Sequence, residues 1–272
     1  MMQFKSMVVS NEEVSPGYGR IRLTAPREIV RAKPGQFVMV RVCGGIDPLL
    51  RRPFGIYDTG SFVPEYPNAP RQHYLEILYK VVGKGTGILF SLHHNDYVDI
   101  LAPLGNGFNQ GSPEEGKILI GGGFGLAPLY FLAKQLVAQS KVKVFIGGRR
   151  KEDILCVTEF ERLGIDTYVA TDDGTLGSMG LVTEVLERHL AMGEAKRSLY
   201  ACGPGPMLKA VAEIAGRSGI YCQVSLEANM ACGVGACLGC VTKGCNHSEN
   251  TPDYRCVCKD GPVFDATEIM WE

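Results

Sequence analysis

The chain has 272 residues, 45% hydrophobic and 21% charged, enough apolar material for two domains or two plus a small module. Its formal net charge of −1 lacks the basic footprint that nucleic acid or an anionic membrane would attract. No apolar run reaches the roughly 18 residues of a membrane span, and the opening MMQFKSMVVSNEEV carries charges where a signal peptide has its apolar stretch. A cytoplasmic protein with no nucleic-acid or membrane partner is expected, and its ten Cys then point to metal ligation and free thiols rather than disulfides.

Residues 1–110 read as β. QFVMVRV, YLEILYKVV and YVDILAPL are short apolar runs with period-2 character, split by Gly, Pro and Asn, which predicts a small barrel with one helix around Gly85–Leu92. Within this segment LLRRPFGIYD places Arg51 and Arg52 beside Pro53, where a guanidinium could grip a pyrophosphate or simply lie solvated. GKGTG, Gly83–Gly87, is a glycine turn with a cation and a hydroxyl, as suited to a phosphate as to a plain turn.

GSPEEGK, Gly111–Lys117, reads as a linker, and from Lys117 the pattern becomes strand–loop–helix. KILIGGG, APLYFLAKQLVAQ, KVKVFIGG, a helix over DILCVTEFERLG, TYVATDDG, LVTEVLERHL, SLYACGPG and PMLKAVAEIAGRSG alternate in the order of a doubly wound parallel sheet. Gly121, Gly122, Gly123 and Gly125 fill the first strand-to-helix turn, with Pro128 early in the helix. The spacing is GGGxGxAP and not GxGxxG, yet glycines there let a pyrophosphate approach the backbone and the helix N-terminus. A second such loop is Cys202-Gly203-Pro204-Gly205-Pro206-Met207. Residues 111–222 are therefore expected to form a nucleotide-binding α/β domain.

Residues 223–272 are Cys-rich. Cys232, Cys237 and Cys240 stand in ACGVGACLGC, and a fourth thiol follows at Cys256 or Cys258. C-x4-C-x2-C with a distant Cys is the spacing of a plant-type 2Fe–2S loop, and the small residues between the thiols let the backbone wrap closely and aim amides at sulfur. Zinc prefers paired short spacings. Cys245 and His247 read as a surface insertion, although a His ligand is also compatible with such a cluster. Cys43, Cys156 and Cys222 read as small core residues.

LLRRPFGIYD, ILYKVVGKGT, GGGFGLAPL, TDDGTLGSMG, ACGPGPM, LEANMACGVGACLGC and VCKDGPVF, spanning Leu49–Phe264, together resemble a ferredoxin–NADP reductase-type flavoprotein with a C-terminal 2Fe–2S module. The nearest resemblance is to the electron-transfer subunits of class 1B dihydroorotate dehydrogenases. It implies FAD on the barrel, with Arg52, Pro53, Phe54 and Gly55 as the flavin and pyrophosphate segment, Leu78, Tyr79 and Lys80 on the adenine and phosphate side, and Gly85 and Thr86 at a second pyrophosphate contact. Gly55 stands where the family often has Ser or Thr, and Lys80 where it often has Arg. NAD(H) would lie across Gly122, Gly123 and Gly125, with Gly203 and Pro204 near the nicotinamide. Asp172 and Asp173 are candidates for a ribose hydroxyl, and Arg149 and Arg150 for a 2′-phosphate clamp. The ligand set would be Cys232, Cys237, Cys240 and Cys258, the last because it directly precedes the DGP turn.

The function so implied is a relay without an organic substrate of its own. Electrons would pass between NADH and an FMN-containing dihydroorotate dehydrogenase catalytic subunit in pyrimidine biosynthesis, in a heterotetramer of two subunits of each kind. No residue suggests a base for the orotate chemistry. The alternatives are a subunit of a ferredoxin–NADP or sulfide dehydrogenase complex, and a non-enzymatic iron–sulfur carrier or redox sensor, which would leave RRPFGIYD and GGGFG unexplained.

Overall fold

A computed structural model describes residues 1–42, 44–64, 70–193 and 196–271; Cys43 lies outside them. The first part is a closed barrel with strand order β1-β2-β5-β4-β3-β6. Its strands are β1 (Met2–Ser15), β2 (Tyr18–Ala25), β3 (Phe37–Arg41), β4 (Arg52–Phe62), β5 (Gln72–Lys80) and β6 (Tyr97–Leu104), with α1 (Lys84–Phe90) between the last two. β6 shows why the pattern closes. Val98, Ile100, Ala102 and Leu104 point inward, and their neighbours outward, so a period-2 sequence becomes one buried face. Val98, Ile100 and Ala102 meet Ile21, Leu23, Val38, Val40, Ile56, Leu75 and Ile77 in the barrel core.

The second part is a seven-stranded sheet in the order β10-β9-β8-β7-β11-β12-β15, the last strand being Val263–Asp265. Its elements are β7 (Gly116–Gly122), α2 (Leu126–Leu136), β8 (Val142–Gly148), α3 (Val157–Arg162), β9 (Asp166–Thr171), β10 (Ser178–Met179), α4 (Val182–Ala191), β11 (Arg197–Cys202), α5 (Gly205–Ser218) and β12 (Tyr221–Ser225). The strands from β7 to β12 pair in parallel, and the winding reverses between β7 and β11. β7 is buried on both faces, which is why Ile118, Leu119 and Ile120 read as a continuous apolar run.

The stretch DILCVTEFERLG is not one helix. Lys151–Asp153 form a single 3-10 turn, and α3 begins only after Cys156, whose φ of 62° is left-handed. A left-handed residue cannot continue a right-handed helix, so the periodic pattern is cut there.

The Cys-rich part carries the hairpin β13 (Val241–Lys243) and β14 (Tyr254–Cys256), then β15 (Val263–Asp265), which pairs antiparallel with β12. The C-terminal segment thus extends the sheet that precedes it. α2 wedges between barrel and sheet: Tyr130 stacks on Tyr57 of β4 with centroids 4.7 Å apart, and Lys134 pairs with the buried Asp58 at 2.7 Å. Phe37, Met39 and Leu104 of the barrel share one core with Cys240, Val257 and Cys258. Among the described residues no helix is long and apolar enough to cross a membrane.

Candidate functional site

Two clefts meet between barrel and sheet. The first, about 300 Å³, is lined on the barrel side by Arg52, Pro53, Phe54, Gly55, Leu78, Tyr79, Lys80 and Thr86. The other wall is Phe124 and Gly125 from the turn before α2, Pro128 from its first turn, and the stretch Ser225–Met230. β4 and β5 are adjacent in the barrel, so their ends present these two runs side by side.

Arg51 and Arg52 part company. Arg51 turns away and donates to Asp99 of β6, to its carbonyl at 2.8 Å and to its carboxylate. Arg52 faces the cleft, where its guanidinium lies over Gly85: a Cβ there would sit 2.9 Å from Arg52 Nε. Gly85 lies behind that guanidinium and leaves it room. The Thr86 hydroxyl accepts from the amides of Val82 and Gly83 at 2.9 and 3.1 Å, fixing the turn that opens α1.

The second cleft, about 610 Å³, lies at the C-terminal ends of the parallel strands, beside the reversal between β7 and β11 where open α/β sheets take ligands. Gly122, Gly123, Gly147, Gly148, Arg149, Asp172 and Pro204 line it. Closeness of backbone is what the glycines supply. A Cβ on Gly122 would meet the Gly147 carbonyl at 3.3 Å and Pro204 at 3.4 Å, and Gly123 has a φ of +55°. Gly125 faces the first cleft instead; its Cβ would lie 2.6 Å from the Cys202 carbonyl. Gly203 lines neither cleft but packs under Met207 with a φ of +156°. Asp173 is used up locally, accepting from Thr175, and Arg150 pairs with Glu152.

Lys80, Phe124 and Glu227 line both clefts. Lys80 Nζ sits 2.8 Å from the Tyr18 hydroxyl and 3.3 Å from Asp153, and these contacts, led by Tyr18, raise its pKa. Asp153 also accepts from Tyr18 at 2.7 Å and from Arg149 Nε at 3.2 Å. Burial works against its charge, but the donors Tyr18, Arg149 and Lys80 outweigh it and hold the carboxyl below its ordinary range. One carboxylate thereby ties barrel to sheet. Tyr18, Asp153 and Glu227 were not anticipated. Glu227 does stand in the LEANM motif next to the thiol loop, which was the available signal.

The thiol loop follows directly from the cleft wall. Gly233, Gly235 and Leu238 have φ values of +71°, +79° and +54°, which fold the segment into a tight wrap. The loop lies on the barrel, where a Cβ on Gly233 would come 2.5 Å from Met39 Cγ. Backbone amides reach sulfur: Val234 N to Cys232 Sγ at 3.4 Å, Gly235 N to Cys258 Sγ at 3.0 Å, and Cys258 N to Cys240 Sγ at 3.4 Å. The Val234 amide, first among several, brings the Cys232 thiol down to about 6; burial, with the hydrogen bond to Cys240, pushes Cys258 up to about 12. Cys256 differs, since its carbonyl closes the turn by accepting from Lys259 and Asp260. Among the described residues no three His, Cys, Asp or Glu side chains converge on one ion-sized point. Two irons spread four thiolates more widely than one ion does, and amide donors to sulfur are what such a cluster uses. The donor set therefore fits. Cys245 and His247 belong to the β13–β14 hairpin, where the Cys245 amide bonds the Glu268 carbonyl and the His247 ring meets Asp253 and Tyr254. Cys222 is buried and Cys156 half-buried.

Residues 227–270 match the iron-sulfur cluster binding domain of dihydroorotate dehydrogenase B, and residues 119–213 match the oxidoreductase NAD-binding domain. The electron transfer subunit of dihydroorotate dehydrogenase B (NAD(+)) from Desulforamulus reducens is 37% identical over 99% of this chain and 98% of its own. The chain belongs to that family. The same subunit from Geobacillus kaustophilus is 42% identical over 88% of this chain and 87% of its own. Among solved structures, the NADH-dependent reduced ferredoxin–NADP oxidoreductase has a TM-score of 0.81 at 27% identity, over 98% of this chain and 90% of that one. Family membership fits the order of the site: nucleotide cleft, shared wall, barrel cleft, thiol loop.

Proposed function

We propose that this chain passes electrons between NADH and an FMN-containing dihydroorotate dehydrogenase catalytic subunit in pyrimidine biosynthesis, in the cytoplasm, within a heterotetramer of two subunits of each kind. The observation that carries the reading is continuity. The stretch Ser225–Met230 that walls the barrel cleft runs without interruption into Cys232, and Glu227 on that stretch also borders the nucleotide cleft.

Each part of the chain has a task in this scheme. The Gly122–Gly123 turn would receive a pyrophosphate on backbone amides, and Asp172 is placed for a ribose hydroxyl. Arg52, preset over Gly85, offers a bidentate cation to FAD phosphate, while Pro53, Phe54, Gly55, Leu78 and Tyr79 supply the apolar cleft for its rings. Cys232, Cys237, Cys240 and Cys258 would hold the 2Fe–2S cluster, with amides of Val234 and Gly235 stabilising charge on sulfur. When bound, the flavin exchanges hydride on one side and single electrons on the other, and the cluster carries those electrons one at a time. Cys237 is exposed, which suits an exit toward a partner.

The test is anaerobic purification of the tagged chain from its native cell with whatever binds it, followed by assay of NADH-dependent orotate reduction. Activity with a co-purified FMN subunit is the expected result. A second reading, a ferredoxin–NADP or sulfide dehydrogenase-type complex, is favoured by the structural likeness over 98% of the chain. NADH oxidation without orotate reduction would establish it instead.

A further inference from the structure

Hydride donors and one-electron carriers do not balance without a proton acceptor. A hydride brings two electrons and one proton; two single-electron departures remove the electrons and leave the proton. For each NADH, NADH plus two oxidised clusters gives NAD⁺, two reduced clusters and H⁺. That proton must go to a base, either water or a side chain bordering the clefts.

Of the residues that border both clefts, Lys80 has its ammonium engaged by Tyr18 and Asp153, and Phe124 has no titratable group. We propose, on the functional reading above, that Glu227 is the base that takes the proton left behind when electrons pass singly to the cluster, and returns it in reverse flow. Glu227 would take the proton from the N–H bond that hydride exchange leaves on the bound flavin, and that bond's electron pair would stay behind. An O–H bond forms on Glu227, two electrons leave in turn through the thiol loop, and the carboxyl releases its proton to water in the open cleft.

The surroundings suit that work. Glu227 is fixed by its backbone neighbour, since the Leu226 amide donates to the Pro262 carbonyl at 2.9 Å. Its side chain is exposed on the wall shared by the two clefts, and desolvation by the surrounding protein pushes its carboxyl up to about 7. A base with a pKa near ambient pH both accepts and releases a proton readily. The charged and titratable groups around the two clefts are Tyr18, Lys80, Arg149, Asp153 and Asp172 in the second, and Arg52, Tyr79 and Cys202 in the first. Arg149 is paired with Asp153, and burial holds the Cys202 thiol neutral.

The experiment uses the whole flavin- and cluster-loaded complex, mixed anaerobically with NADH while flavin and cluster bleaching are followed as separate phases at several pH values. In the unaltered complex the cluster phase should quicken as pH rises through neutrality and then level off, because the base must be deprotonated. Glu227→Gln should slow the cluster phase relative to the flavin phase by on the order of 10²-fold and flatten its pH profile, and Glu227→Asp should restore part of both. Without nucleotide, a redox titration should show a break near neutrality in the slope of flavin potential against pH, lost in Glu227→Gln. An unchanged cluster phase and slope overturn the proposal, as does equal slowing of both phases, which would make Glu227 a nucleotide-positioning residue. No flavin bleaching in the unaltered complex would sink the functional reading and this proposal with it, whereas bleaching with an unaffected cluster phase sinks the proposal alone.

Discussion

Gly125 and Gly87 show how much a single hydrogen can decide. At Gly125 a methyl group would come 2.6 Å from a backbone carbonyl that cannot easily move, whereas at Gly87, inside α1, nothing lies within 4 Å. Gly125→Ala should lower stability by about 1–3 kcal/mol through overpacking and reduce flavin retention. Gly87→Ala should raise it by roughly 0.5–1 kcal/mol through helix propensity. Thermal melts of the two variants check both signs. Asp153 is the other decisive residue, because Tyr18, Lys80 and Arg149 all depend on it. Asp153→Asn should cost about 1.5–3 kcal/mol at neutral pH, the scale of hydrogen bonds to a charged group. The carboxyl's folded pKa is depressed, so its contribution is present above the ordinary Asp range and is lost as pH falls through the folded value. The difference between the two melting curves should therefore shrink in acid and stay constant from neutrality upward.

At the scale of elements, the thiol loop and the turn before β15 choose between two neighbouring thiols. Cys258 Sγ accepts the Gly235 amide, while Cys256 lends its carbonyl to the turn. Cys258→Ser should abolish most of the iron content and visible cluster absorbance, and Cys256→Ser should leave both near the unaltered level. The reverse pattern would transfer the ligand role to Cys256. The alternation in β6 and the apolar run of β7 were legible because one buried face, or two, writes itself into the sequence. Two features were less legible. Cys156 carries no mark of its left-handed backbone, so a helix was expected through it. The Arg51–Arg52 pair likewise carries no mark of which guanidinium turns to Asp99 and which to the cleft, since that follows from partners about 48 and 33 residues further on.

Across the whole molecule, charge around the nucleotide cleft bears on the donor. Lys80 and Arg149 stand against Asp153, Asp172 and Glu227, with both cations already paired to Asp153. Among the described residues lining this cleft, an added 2′-phosphate would meet acids and cations already paired. NADH should bind more tightly than NADPH by about tenfold, equivalent to ~1.4 kcal/mol, and Asp172→Ala should narrow that gap. Equilibrium titrations with the reduced nucleotides check it. The sequence by itself determined the order of parts: a barrel, an alternating strand–helix unit, glycine turns at strand ends and a thiolate spacing, because each is a local pattern of burial, backbone freedom or ligand count. Only the tertiary structure decided which groups stand together. Glu227 between two clefts, Asp153 joining Lys80 to Arg149, and β15 completing the sheet that β7 begins are contacts between distant segments, and no short-range pattern in a chain encodes its own distant neighbours.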